Sequence, residues 1–411
     1  MRFIATADWQ LGMRARPLPE EARARYTESR FEALARIGEL ARERAAAFIV
    51  VCGDVFETNQ LDRRVIARTF EALRGADVPV VLVPGNHDPL DSASIYDSPV
   101  FAERCPEQVV VAREAEPIRI GDDAEVLPVP WRSKRPGRDL VAEACAGLEP
   151  APAGVVRVIA AHGAVASRNP DATDPATIDD AALADVLARG LADVVVLGDR
   201  HSTTEVRPGI WYPGTQEVTA RRDVDPGNVL VIDVDPAGDA AAPVAERVRV
   251  EPVHVGRWRF VTVEHEFTGD ADAEVERLRT RLDALDDKSR TGVWLVLRGT
   301  ISTSAAARLE RLLDEQRDLF ALLTVWEHHS DLQVLPDNAD FSDLHLTGFA
   351  ADALDELVAA AGGGGDSGAP GASADAGGLD RPGSRDLADD GDRRRAQDAL
   401  GLLYRLVGGN R

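Results

Sequence analysis

Seven short runs of almost wholly apolar residues punctuate the first 253 residues, at 2–7, 48–52, 79–84, 125–129, 156–161, 194–197 and 229–234. A strand that is apolar on both faces has to be covered on both sides, so these runs predict a buried sheet rather than a half-solvated one. Helical patterns lie between them. Over 30–44, Phe31, Leu34, Ile37, Leu40 and Ala41 fall on one face, and a second helix is predicted near 63–74. Strands alternating with helices in this way predict a layered α/β domain. In such folds ligands gather beyond the carboxyl ends of the strands. Those ends are polar here: Asp8 and Gln10 follow the first run, Gly53-Asp54 the second, and Gly85-Asn86-His87-Asp88 the third, with His162, Asp199 and His201 after later ones.

A chain of 411 residues is too long for one ordinary core and suits two domains with appendages. A second unit is predicted over 257–345, with strands at 259–264, 293–298 and 319–326 and helices at 271–285 and 305–315; a helix at 346–361 follows. The Gly/Ala/Ser/Asp-rich stretch 362–388 reads as a flexible linker. The last segment, 389–411, carries an amphipathic helix with Ala396, Leu400, Leu403, Tyr404 and Val407 on one side. An apolar stripe beyond a tether has no local core to bury it, so docking on a partner is expected.

Residues 1–7 form a strand-like run rather than a signal peptide, and no apolar stretch approaches the roughly 20 residues of a membrane span. Three cysteines without CxxC spacing suggest a reducing compartment. A cytoplasmic protein without membrane contact is expected. The formal net charge of −23 opposes tight non-specific binding to nucleic acid. Many of the acids, however, lie in 171–185 and 380–392, away from the polar strand ends. Arg14, Arg16, Arg132, Lys134, Arg135, Arg138, Arg221 and Arg222 lie nearer those ends in sequence.

An Asp after a strand is often a turn residue and a lone His often a satisfied polar group, but five successive strand ends each offering an oxygen or imidazole ligand are hard to assign to coincidence. A mixed Asp/Asn/His set suits a pair of divalent cations rather than a thiolate-bound structural zinc. Two such ions can clamp a phosphate and stabilise the attacking and leaving oxygens of an in-line displacement.

The order of these strings resembles that of the calcineurin-like metallophosphoesterases, and more finely their Mre11/SbcD DNA-repair nucleases. TADWQLG (6–12) is similar to T-S-D-W-H-L-G, GDVFE (53–57) to G-D-L-F-D, and VLGDRH (196–201) to A-L-G-H-I-H, while PGNHD (84–88) matches outright. YPGTQE (212–217) resembles Y-P-G-S-x-E, a string outside the general phosphoesterase signature. The resemblance implies an α/β/β/α sandwich over 1–253, a small α+β capping domain over 257–345 and the tethered C-terminal helix. It implies two divalent metal ions. Asp8, Gln10, Asp54 and His201 would hold the first, and Asp54, Asn86, His162 and Asp199 the second. His87 would contact phosphate and protonate the leaving oxygen, with Asp88 orienting its ring. It further implies DNA as substrate, a homodimer, and an SbcC/Rad50-like coiled-coil ATPase as partner.

Gln10 and Asp199 stand where that family has histidine. A Gln carbonyl is a neutral, weak ligand, and Asp199 adds negative charge. Three carboxylates and two histidines shift preference toward Mn²⁺ or Mg²⁺ and away from Zn²⁺, with the first ion expected to be weakly held and Mn²⁺ preferred. Two other readings stay open: a phosphodiesterase or phosphatase acting on a small phosphoester, which the acidic balance favours, and a catalytically weak DNA-end scaffold.

Overall fold

The computed structural model describes residues 1–169, 173–235, 244–335 and 348–362, together with Ala396 and Ala399. Apart from Gly362 and those two alanines, the expected linker and partner-docking helix lie outside the described residues. The chain divides into two compact units, Met1–Phe260 and Val261–Arg411.

In the first unit the strands in chain order are β1 (Arg2–Thr6), β2 (Ile49–Cys52), β3 (Val80–Val83), β4 (Val109–Val111), β5 (Ile118–Ile120), β6 (Ala124–Pro128), β7 (Val156–His162), β8 (Val194–Gly198), β9 (Thr204–Arg207), β10 (Ile210–Tyr212), β11 (Asn228–Val234) and β12 (Val248–His254). They form two six-stranded sheets, ordered β12-β11-β1-β2-β3-β4 and β5-β6-β7-β8-β10-β9. Strands β1 to β4 run parallel, as do β6, β7, β8 and β10. The carboxyl ends of β1, β2 and β3 therefore emerge on one edge, and His162 pairs with Gly198 at the ends of β7 and β8.

Alternation along the strands builds three apolar layers. Phe3, Ala5, Val50, Cys52, Val81 and Val83 of the first sheet share one buried cluster with Val126, Val158, Ala160, Val194 and Val196 of the second. The opposite face of the first sheet, through Ile4, Ile49, Val51 and Leu82, packs on Leu34, Ile37 and Leu40 of the helix Glu20–Glu43 and on Ile66, Phe70 and Leu73 of the helix Arg63–Leu73. The second sheet turns Ile159, Ala161, Val195 and Leu197 onto Leu183, Val186 and Leu187 of the helix Asp180–Ala188. The result is the layered α/β domain that the all-apolar strands called for, with the α/β/β/α order that the resemblance implied.

The differences from expectation have physical reasons. The first long helix begins at Glu20 rather than 30, because its opening turns bury little besides Ala22, Tyr26 and Ser29 and so show no apolar stripe. Strands such as β9, with alternating partly exposed residues, and β4 and β5, of three residues each, lack the buried signature. Helix Asp180–Ala188 lies in the acidic stretch read above only as charge; Asp179 caps it by accepting from the backbone N–H groups of Ala181 and Ala182.

The second unit carries β13 (Arg259–Phe267), β14 (Thr291–Ser302), β15 (Leu322–Val325) and β16 (Asp331–Leu335) in one sheet, with helices Ala271–Asp283 and Thr303–Arg317. Strand β14 is long enough to pair with β15 along its first half and with β16 along its second. Phe267, Leu278, Leu282, Leu295, Leu297, Leu309 and Leu312 form its core. Helix Phe349–Gly362 follows. No helix among the described residues is long and apolar enough to cross a membrane.

The string Tyr212 to Glu217 is buried structure. Tyr212 donates its hydroxyl to the Gly163 carbonyl, Thr215 Oγ1 to that of Asp8 at 3.0 Å, and Gln216 Nε2 to that of Trp9 at 3.1 Å. The Glu217 carboxylate accepts the backbone N–H groups of Val218, Arg257 and Trp258. The string thus ties the end of β1 to the last residues of the first unit. Glu217→Ala leaves these N–H groups without their acceptor and should destabilise the protein by about 3 kcal/mol, read in urea denaturation. A loss below about 1 kcal/mol would show that water satisfies them.

Candidate metal centre

Seven non-glycine residues among those described have positive φ, and four of them are Asp8 (51°), Gln10 (41°), Asp54 (50°) and Asp199 (98°). Each such residue costs on the order of 1 kcal/mol and persists only where its surroundings hold it. The hold comes from hydrogen bonds between strand tips. Asp8 N donates to the Gly53 carbonyl and Gln10 N to that of Asp54, while the Asp54 Oδ1 accepts from His87 N at 2.9 Å. Asp199 N donates to both carboxylate oxygens of Asp8, at 3.0 and 3.1 Å.

The glycines of the two motifs are spacing devices. A Cβ on Gly53 would stand 2.0 Å from Nδ1 of His162, and one on Gly85 would stand 2.3 Å from Oδ1 of Asp54. Only glycine lets the turn carrying Asp54 approach both the His162 ring and the loop after β3.

Asp8, Asp54 and His162, all buried, offer ligand atoms within 4.8 Å of one another. Nδ1 of His162 donates to the Cys52 carbonyl at 3.1 Å, which turns Nε2 toward Asn86 Oδ1 at 2.7 Å, Asp54 Oδ1 at 3.6 Å and Asp199 Oδ1 at 4.0 Å. Burial by itself would lower the His162 pKa; Asp54, Asp8 and Asp199 outweigh it and raise it to about 9. Burial also holds the Asp8 carboxyl well above the usual carboxylate range. Three carboxylates around one imidazole leave an excess of negative charge that a cation relieves. Oxygen donors with one imidazole and an amide fit a hard divalent ion.

His87 is half-buried. Its Nδ1 donates to the Glu57 carbonyl at 2.9 Å, and its Nε2 stands 3.9 Å from Asp54 Oδ2. Asp88, expected to orient this ring, does something else. Its carboxylate accepts from Gly85 N, Phe56 N and the Tyr96 hydroxyl, at 2.7, 3.0 and 2.7 Å, and so braces the loop from behind. Burial, then the Asp54 charge, pushes its pKa up to about 6. The ring is oriented by a backbone carbonyl, which no side-chain motif can announce.

Gln10, Asp54, Asn86, His87, Asp199 and His201 line one cavity of about 490 Å³, joined by Arg200 and Arg222. His201 is held from behind: its Nδ1 lies 2.6 Å from Thr219 Oγ1, which donates to Asp223 at 2.8 Å. Burial pushes its pKa below the ordinary histidine value.

Residues 1–225 match the family described as calcineurin-like phosphoesterase. The chain belongs to the calcineurin-like phosphoesterases. Members of this family generally hold two divalent metals and hydrolyse phosphoesters. No curated protein matches this phosphoesterase. Among solved structures, that of TT1561 from Thermus thermophilus is 15% identical, covering 62% of this chain and 98% of its own, with a TM-score of 0.36. A second is 13% identical with the same coverage and a TM-score of 0.35.

All the expected ligand positions of the phosphoesterase thus meet at the strand tips, whereas Asp88 stands behind them. Of the basic residues singled out from the sequence, Arg222 lines the site, while Arg132, Arg135 and Arg138 line another cavity of about 510 Å³. Arg200, Thr219 and Asp223 escaped sequence reasoning because they lie on loops without periodicity, although Arg200 lies within the string VLGDRH.

Two outcomes follow from this geometry. With a His162 pKa of about 9 in the metal-free protein, an entering ion displaces a proton at neutral pH. Mn²⁺ affinity should therefore rise by up to about tenfold per pH unit and level off near pH 9, as read by calorimetry; a pH-independent affinity would contradict the assignment of His162. Asp88→Ala should cost about 2–3 kcal/mol of stability yet leave the Nδ1–H of His87 hydrogen-bonded to the Glu57 carbonyl, as read from its NMR signal. Loss of that signal would restore the orienting role to Asp88.

Proposed function

We propose that this phosphoesterase is a divalent-metal-dependent nuclease that hydrolyses phosphodiester bonds at DNA ends. The observation that carries the hydrolytic part is the position of His87. Its Nδ1 is committed to the Glu57 carbonyl while its Nε2 stands beside Asp54 in the cavity that Asn86, Asp199 and His201 also line. A divalent ion bound by these carboxylates and His162 supplies Lewis acidity toward the phosphate and acidifies a bound water. The chain's own part is then threefold. Arg200 and Arg222 bring positive charge to the cavity wall and draw the phosphate in. The Glu57 carbonyl holds one proton on Nδ1 of His87, so a second proton, taken up on Nε2 to give the imidazolium, is the one delivered to the leaving oxygen, and the ring returns to its neutral form. The close glycine turns keep the carboxylates fixed before substrate arrives.

DNA as the substrate class is supported by the strings TADWQLG, PGNHD and YPGTQE, the last of which is built into the first unit as the tie between β1 and residues 257–258. The same resemblance supports a homodimer and an SbcC/Rad50-like coiled-coil ATPase as partner, engaged through the apolar stripe of 389–411, with 257–345 as a capping domain. The oxygen-rich ligand set supports Mn²⁺ as the preferred ion. Three free cysteines suit the reducing cytoplasm.

Purified protein with Mn²⁺ should cleave linear duplex DNA as well as bis-p-nitrophenyl phosphate. Cleavage of the small ester alone would move the function to a small-molecule phosphodiesterase. Cleavage of neither, even with the ATPase present, would favour a scaffold. His87→Ala should lower kcat by about 10²–10⁴-fold, and Arg222→Ala should raise KM with a smaller effect on kcat. Asp199→Ala should abolish Mn²⁺-dependent cleavage.

A further inference from the structure

The two ligand sets that the family pattern assigns to a pair of ions are not equivalent here. In one, the amide already turns its oxygen toward the other donors. Nε2 of His162 hydrogen-bonds Asn86 Oδ1 at 2.7 Å, and Asp54 Oδ1 and Asp199 Oδ1 stand 3.6 and 4.0 Å from the same nitrogen. Donors bound to a common ion at about 2.1 Å lie roughly 3–3.5 Å apart, so small adjustments close this set. Its fourth member is Asp199, a carboxylate where the family has an imidazole.

In the other set the amide of Gln10 turns its nitrogen, not its oxygen, to the imidazole. The Thr219 hydroxyl spends its proton on Asp223, at 2.8 Å, and so accepts from Nδ1 of His201 at 2.6 Å. Nε2 of His201 is then the ring nitrogen with the lone pair, the atom a metal would need. The Gln10 amide nitrogen stands 3.0 Å from it and donates to it. Asp223 is itself fixed, accepting also from the backbone N–H groups of Thr219 and Ala220. The tautomer is thus set from behind, and the cap fits it. An ion entering here would have to break the Gln10–His201 hydrogen bond and turn the amide over, and it would gain only a neutral carbonyl. Asp54 is shared with the first set, and Asp8, the other carboxylate of this one, already accepts Asp199 N on both oxygens.

We propose that this chain binds a single divalent ion tightly, at Asp54, Asn86, His162 and Asp199, and that Gln10 closes the neighbouring position by capping His201. The inference rests on the metal-dependent reading above and deepens it. The substitutions at 10 and 199 then act as a pair, one closing a position and the other strengthening the position that stays open.

The test is metal content together with the electron paramagnetic resonance spectrum of full-length protein saturated with Mn²⁺ and desalted. The wild type should retain one ion per chain and show the six-line spectrum of an isolated Mn²⁺; Gln10→His should gain a second ion and an exchange-coupled spectrum. Two ions or a coupled spectrum in the wild type would overturn the proposal, as would a folded Gln10→His that still holds one. Should that variant fail to fold, the wild-type spectrum decides. A wild type that retains no ion overturns the metal-dependent reading and the single site with it, an outcome distinct from two ions, which leaves that reading standing.

Discussion

The Gly53-Asp54 turn is the joint on which the rest of the centre depends. Its backbone carbonyls accept from Asp8 and Gln10, and the Asp54 carboxylate accepts from His87, so one turn ties together the tips of β1, β2 and β3. The turn can sit there only because Gly53 and Gly85 present no Cβ to His162 and Asp54. Four residues at the strand tips accept left-handed backbone geometry as a consequence. Strain concentrated at a site is tolerable when the scaffold below it is rigid. Here the scaffold is a pair of parallel sheets with a shared apolar interior.

The same joint explains why histidines of similar sequence context serve different ends. His162 is fixed by the Cys52 carbonyl and faces the acids. His87 is fixed by the Glu57 carbonyl and keeps a half-exposed ring at the cavity. His201 is fixed by Thr219 and faces Gln10. In each case the partner of Nδ1 decides what Nε2 meets. A ring facing carboxylates, a ring at the cavity and a ring facing an amide differ by that second hydrogen bond.

Charge in the molecule is distributed accordingly. The excess of acid that argued against nucleic acid in the whole chain is concentrated, at the centre, into Asp8, Asp54 and Asp199, where a cation answers it. Arg200 and Arg222 stand at the same cavity and supply the opposite sign for an incoming phosphate. Net charge alone therefore says little about what this surface attracts.

Much of this was legible from residue order. All-apolar strands demand cover on both faces, so the layered α/β architecture is written in 48–52, 79–84 and 194–197, and the polar strand ends are written beside them. Short or edge strands such as β5 and β9 were not legible, since they bury little and so carry no apolar run. Nor was the place of Asp88, whose partners are two backbone N–H groups and a tyrosine hydroxyl. The pairing of Gln10 with His201 spans 191 positions. Residue types name the possible ligands, but hydrogen bonds formed across the fold decide which of their lone pairs remain free.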